Sequence, residues 1–138
     1  MGIPLKNLTM KDIILKSAPL MLATLFITFG LNKFLNFMPV PPPTDPAAQA
    51  LMTGMFSSYL GSLVGFVEVF SSIMLIFRRT RFLGFLIIIP VILNIILYHL
   101  TTNDISNPII LIVGVIFGAV CYSQKDAVRE LLKIQSNI

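Results

Sequence analysis

Charge is scarce in this chain. Its 138 residues include 10 Lys or Arg and 6 Asp or Glu, 12% of the total, where a soluble domain carries about 25%. With 56% hydrophobic residues and a mean hydropathy of +0.90, one domain of this length cannot hide its apolar surface in a single core. A soluble globular enzyme, a disordered chain and a nucleic-acid-binding protein are all excluded. Cysteine is nearly missing as well: Cys121 stands alone, so no internal disulfide, thiol relay or cysteine zinc site can form. Histidine is reduced to His99. A metal site drawing on Glu68 and His99 alone would be short of ligands.

What is present is long apolar runs. A bilayer core takes about 20 apolar residues as a helix, and four stretches qualify: residues 13–37, 60–77, 82–100 and 108–122. Asn107 reads as the cap of the fourth, with Pro108 at its first helical position. Span three carries Pro90 near its middle, where a kink would suit motion or site building. Lys and Arg are missing from two connections, 38–59 and 101–107. Lys6, Lys11, Lys16, Arg78, Arg79, Arg81, Lys125, Arg129 and Lys133 all fall on the opposite side, which predicts that both termini face the cytoplasm. The net charge of +4 and pI near 9.5 therefore read as membrane-surface anchoring. A cleaved signal peptide is the competing reading of span one, but its apolar run ends in Asn32-Lys33-Phe34 with no small-residue cleavage site. The Asn7-Leu8-Thr9 sequon falls on the cytoplasmic side and reads as accidental.

The first outer loop, Met38-Pro39-Val40-Pro41-Pro42-Pro43-Thr44-Asp45-Pro46, is stiffened by proline. Asp45 then Pro46 predicts a cap and first turn for a short outer interfacial helix over residues 47–58. Leu51, Met52, Met55 and Phe56 are too apolar for water, so this helix is expected to pack as a lid. Small residues at four-residue spacing (Ser57, Gly61 and Gly65; Gly114 and Gly118) predict close helix packing inside the bundle. The tail, 124–138, alternates Val128, Leu131 and Leu132 with charges, as a helix lying on the inner surface does.

Function is sought where polarity is costly. Ionisable groups at mid-bilayer are site candidates by default, and here the principal ones are Lys33, Glu68, Asn94 and His99, with Asn32, Tyr59 and Tyr98 secondary. Helical rise puts Glu68 ~15 Å from Arg78, Asn94 ~20 Å and His99 ~27 Å from Arg81, and Lys33 ~26 Å from Lys16. Side chains lean toward the helix N-terminus, so Lys33 and His99 lean inward, Glu68 leans outward, and the three converge in the outer half. Other readings stand beside this one. Lys33 snorkels to headgroups, His99 is merely interfacial, Glu68 is protonated on Asn94, or Lys33 and Glu68 form a purely structural pair. As a site, a carboxylate, an imidazole and an ammonium offer proton transfer and oxyanion stabilisation. A quinone entering from the lipid would fit; haem, with only His99 as a candidate axial ligand, fits poorly.

The chain resembles the DoxX family of small membrane proteins. The resemblance rests on Phe29-Gly30-Leu31-Asn32-Lys33-Phe34, Phe37-Met38-Pro39-Val40-Pro41, the stretch from Tyr59 to Glu68, and Pro90-Val91-Ile92-Leu93-Asn94-Ile95 leading to His99, in register over residues 17–122. It implies an all-α four-helix bundle in the bacterial inner membrane, with the family's polar positions at Lys33, Glu68, Asn94 and His99. It also differs: some relatives have His where Phe29 stands. Some members of that family are subunits of thiosulfate:quinone oxidoreductase, others are linked to oxidative-stress complexes, and a distant branch assists receptor assembly. Three functions follow as expectations: a quinone-binding subunit or accessory of a redox system, an assembly factor gripping a client membrane protein, or a small-solute transporter. The oligomeric state is left open.

Overall fold

The computed structural model describes residues 9–102 and 108–136, with side chains as far as Ile134. Lys6, Asn7 and the proposed cap Asn107 lie outside the described residues. Six helices make up the described chain: α1 (Met10–Leu35), α2 (Pro46–Phe56), α3 (Tyr59–Ile76), α4 (Arg81–Thr101), α5 (Pro108–Ser123) and α6 (Lys125–Ser136). No strand occurs among the described residues.

Local chemistry sets the helix ends. Thr9 and Asp12 form a reciprocal capping box at the start of α1, satisfying two otherwise orphaned amides. Asn36 ends α1 in the left-handed conformation (φ 49°), which Asn tolerates better than most residues. The Asp45 side chain accepts from the Ala48 amide at 2.9 Å with Pro46 in the first turn, as expected. Between α3 and α4 the turn is closed from the α4 side. Thr80 Oγ1 donates to the Met74 carbonyl (2.9 Å) and Arg81 Nε to that of Leu75 (3.0 Å). Arg81 is therefore a helix cap, whereas Arg78 and Arg79 remain exposed. The α4 helix is unbroken through Pro90.

Helices α1, α3 and α4 are each long and apolar enough to cross a membrane; α5 with the first part of α6 (Lys125–Ile134) passes the same test as a pair bent by 53°. At ~1.5 Å per residue, α1 is ~39 Å long, more than a bilayer core of about 30 Å. The helices pack in the order α5, α1, α3, α4, with a lighter contact between α4 and α5. Leu22, Phe26, Leu75, Phe85, Ile88, Ile92, Val113 and Val120 fill the interior. The outward faces are as apolar as that core: Phe66, Leu97, Leu111 and Val115 are all exposed, Val115 by 73%. An all-helical chain with oil on both its inside and its outside is a multi-pass membrane protein.

The outer helix α2 packs on α3, with Ala48 buried and Met52 and Met55 half-buried. Leu51 and Phe56, expected inside the lid, are exposed. An 11-residue helix against one neighbour can bury a single stripe, and Ala48, Met52 and Met55 at 3–4 spacing occupy it. Gly114 and Gly118, expected inside the bundle, are exposed, and a methyl group at either would meet nothing within 4 Å.

Candidate functional site

The buried positions of α1 include Pro19, Leu22, Phe26 and Gly30, and Lys33 continues that 3–4 spacing. On α3 the buried stripe runs Gly61, Gly65, Glu68, Ser72, Leu75. Both charges thus stand on core-facing stripes, each three residues after a glycine. The two glycines meet. A Cβ added at Gly30 would lie 2.9 Å from the Gly65 carbonyl oxygen and 2.8 Å from Val69 Cγ2, and one at Gly65 would lie 3.2 Å from Lys33 Cβ. Gly30 faces Val69 while Gly65 faces Phe34 and Lys33, so the helices run antiparallel. This crossing lets the backbones approach as few other residues would allow. It brings Lys33 level with Gly65 and Glu68 level with Gly30.

Across that crossing Lys33 Nζ donates to Glu68 Oε2 at 2.6 Å. The carboxylate side chain is 2% exposed and the lysine side chain 15%. A charge-assisted hydrogen bond of this length is among the stronger kinds. An unpaired carboxylate buried so deeply would cost several kcal/mol. One turn along α3, Ser71 Oγ donates to the Val67 carbonyl at 2.7 Å. Ser72 Oγ, on the same stripe as Glu68, is buried with no hydrogen-bond partner among the described residues.

The remaining candidates divide. Asn32 is buried, but its side chain is engaged with backbone: Nδ2 donates to the Met38 carbonyl (2.9 Å) and Oδ1 accepts from the Met38 amide (2.7 Å). It clamps the start of the proline loop onto α1. Asn94, expected to join the cluster, is exposed, and its side chain reaches neither Lys33 nor Glu68 with a hydrogen bond. The buried stripe of α4 is Gly84, Phe85, Ile88, Ile92, and two residues beyond Ile92 a side chain points about 200° away. His99, seven residues beyond Ile92, returns to the bundle-facing side and is half-buried. Its ring meets that of Tyr98 edge-on at 5.2 Å. Tyr59 lies on the far side of α3 from Glu68, about nine residues or 180° around, and is 75% exposed. The geometry thus joins Lys33 to Glu68 and leaves Asn94 and Tyr59 outside.

A shallow groove opens on the α5 side of α1, lined by Met21, Thr24, Leu25, Thr28, Phe29, Met38 and Ile116. Met38 is held there by Asn32, and Phe29 stands one helical turn from Lys33. Thr24 and Thr28 each donate to the carbonyl four residues earlier (2.9 and 2.8 Å), so their hydroxyls are satisfied and the groove is chiefly apolar. Among the described residues no three of His, Cys, Asp and Glu gather as a metal site would need.

Sequence reasoning had no role for Gly84 or Gly30 in packing. A Cβ on Gly84 would fall 2.6 Å from the Ser71 carbonyl oxygen and 2.8 Å from Met74 Cβ. That glycine joins α4 to α3 as Gly30 joins α1. The signal available was a glycine three residues before each charge, Gly30 with Lys33 and Gly65 with Glu68. No family model, curated protein or solved structure matches the chain.

Proposed function

We propose that the chain is a DoxX-like protein of the bacterial inner membrane, a four-span bundle with both termini in the cytoplasm. Its role in this reading is to bind a lipid-soluble ligand of the quinone type, as a subunit or accessory of a membrane redox system. The orientation is supported by the placement of nine of the ten Lys and Arg residues on one side, and the exception is Lys33. One observation carries the functional reading: the Lys33–Glu68 pair, joined at 2.6 Å between two membrane-crossing helices. Two charges in a bilayer are costly, and a hydrophobic pair of similar volume often serves stability as well or better. Their presence there fits a chemical role. Lys33, the more accessible partner, would offer an ammonium to a ring carbonyl, with Glu68 as proton acceptor or donor behind it. The apolar groove ending at Phe29 and Met38 would take an apolar tail from the lipid.

The test is the quinone content of the protein purified in mild detergent, measured by extraction and absorbance. The wild-type chain is expected to retain quinone and the E68Q variant to lose at least nine-tenths of it. A quinone-free wild-type sample, with membrane quinone reduction unchanged by E68Q, overturns the reading. A second reading, an assembly factor, is favoured by the exposed Leu51, Phe56 and Tyr59 at the outer end. It predicts that a co-purifying membrane protein is lost in a Leu51→Ser/Phe56→Ser variant and kept in E68Q.

A further inference from the structure

At the other end of the bundle, α1 begins where α5 ends, and two lysines distant in sequence meet there on one tyrosine. Lys11 Nζ donates to the Tyr122 hydroxyl at 3.2 Å and lies 5.1 Å from the centre of its ring. Lys125 Nζ lies 4.1 Å from the same centre. Two ammonium groups brought to one phenol repel each other unless an anion lies between them. The neighbouring carboxylates fill that role only in part: Asp12 feels the charge of Lys11 but forms no ion pair with it. Asp12 is engaged with Thr9 at 2.7 Å, and Asp126 faces Arg129 at 3.7 Å. Neither Lys11 nor Lys125 has an ion-pair partner among the described residues. Because Tyr122 accepts from Lys11, its own hydroxyl proton remains available to donate.

We propose that Lys11, Tyr122 and Lys125 bind the phosphodiester headgroup of an anionic phospholipid. The surroundings favour a lipid over a free anion. In the membrane orientation proposed above, on which this placement rests, the end where α1 begins and α5 ends lies at headgroup depth, where tyrosine and lysine anchor. From there α6 bends away from α5 by 53°, exposing Leu131, Leu132 and Ile134 together with Arg129 and Lys133, as a helix lying on an acidic membrane surface does. The phosphate would accept N–H groups from both lysines and the O–H of Tyr122, joining α1 to the α5–α6 corner. Nothing in this site depends on the ligand bound at Lys33 and Glu68.

The experiment is native mass spectrometry of the full chain released from nanodiscs containing phosphatidylglycerol or phosphatidylcholine. The wild-type chain is expected to retain phosphatidylglycerol in preference to phosphatidylcholine. A basic residue near an anionic surface is worth about fivefold in binding, so K11Q/K125Q should retain roughly thirty-fold less. K11Q and K125Q alone should each lose about fivefold, and Y122F about two- to threefold for one hydrogen bond. R129Q/K133Q, which changes the same net charge on exposed α6, loses only the general surface attraction and should retain clearly more phosphatidylglycerol than K11Q/K125Q. Equal losses in the two double variants would mean diffuse attraction and overturn the site. So would unchanged retention in K11Q/K125Q, or full displacement of the lipid by millimolar inorganic phosphate. Circular dichroism of each variant checks that the helices persist, and the single variants answer the question if the double variant loses them.

Discussion

Two helices of this protein carry glycines at the same four-residue spacing and use them differently. On α3, Gly61 faces α2 and its turn, and Gly65 faces α1, each too close for a methyl group to enter freely. On α5, Gly114 and Gly118 face outward with nothing within 4 Å. The spacing tells that a helix can be approached closely; it does not tell whether anything approaches. What separates the two is the neighbour. α3 lies between α1 and α4 and is crossed on both sides at glycine, by Gly30 and by Gly84, whereas α5 leans on α1 and has only a lighter contact with α4. The polar pair belongs to the crowded helix, where the crossing brings Lys33 and Glu68 together.

The contrast is open to attack by substitution, with unfolding in detergent micelles as the measurement. The largest effect is expected for Lys33→Met, which leaves the Glu68 carboxylate buried without a partner: about 3–5 kcal/mol of destabilisation. Glu68→Ala should cost less, because Lys33 is 15% exposed and its stem allows the ammonium to reach toward the headgroups. The double change Lys33→Met/Glu68→Leu should recover most of the loss. Additive losses in that double variant would mean that the pair is not coupled. Next come the crossings. Gly84→Ala and Gly30→Ala each force a methyl group against backbone or packed side chain, for about 1–3 kcal/mol. Gly84 should be the worse, since its 2.6 Å neighbour is the Ser71 carbonyl oxygen. The smallest effect is expected for Gly114→Ala and Gly118→Ala, where the change should be neutral or a gain of up to about 1 kcal/mol from helix propensity. A loss above about 1 kcal/mol there would mean that a protein covers this face, and the comparison would fail.

Much of this was legible beforehand, and the reasons differ by residue. The helix termini could be read to within three residues because they are local events: Asp45-Pro46 caps and starts α2 whatever lies around it, and Pro108 starts α5. The Lys33–Glu68 partnership was readable because a bilayer leaves a carboxylate few alternatives. Asn94 could not be placed. Its helix is apolar all round, so periodicity gives no inward face, and only the seating of Phe85, Ile88 and Ile92 against the neighbours turns Asn94 outward. Asn32 was read as chemistry and serves as a clamp, because its partner is the Met38 backbone and side-chain identity says nothing of where a backbone passes. Gly84 lacked a second glycine at four-residue spacing, and a lone glycine in an apolar helix carries no direction.

By itself the amino-acid order determined that this chain is helical, that its helices are too apolar for water, and where their charged ends lie. Those outcomes follow from transfer free energies and hydrogen-bond closure within short segments. The packed structure alone decided which faces turn inward, because three helices apolar on every side have no intrinsic inside. Close backbone approach at Gly30, Gly65 and Gly84 chose the rotation of α1, α3 and α4, and with it the residues that meet Glu68 and those left facing the lipid.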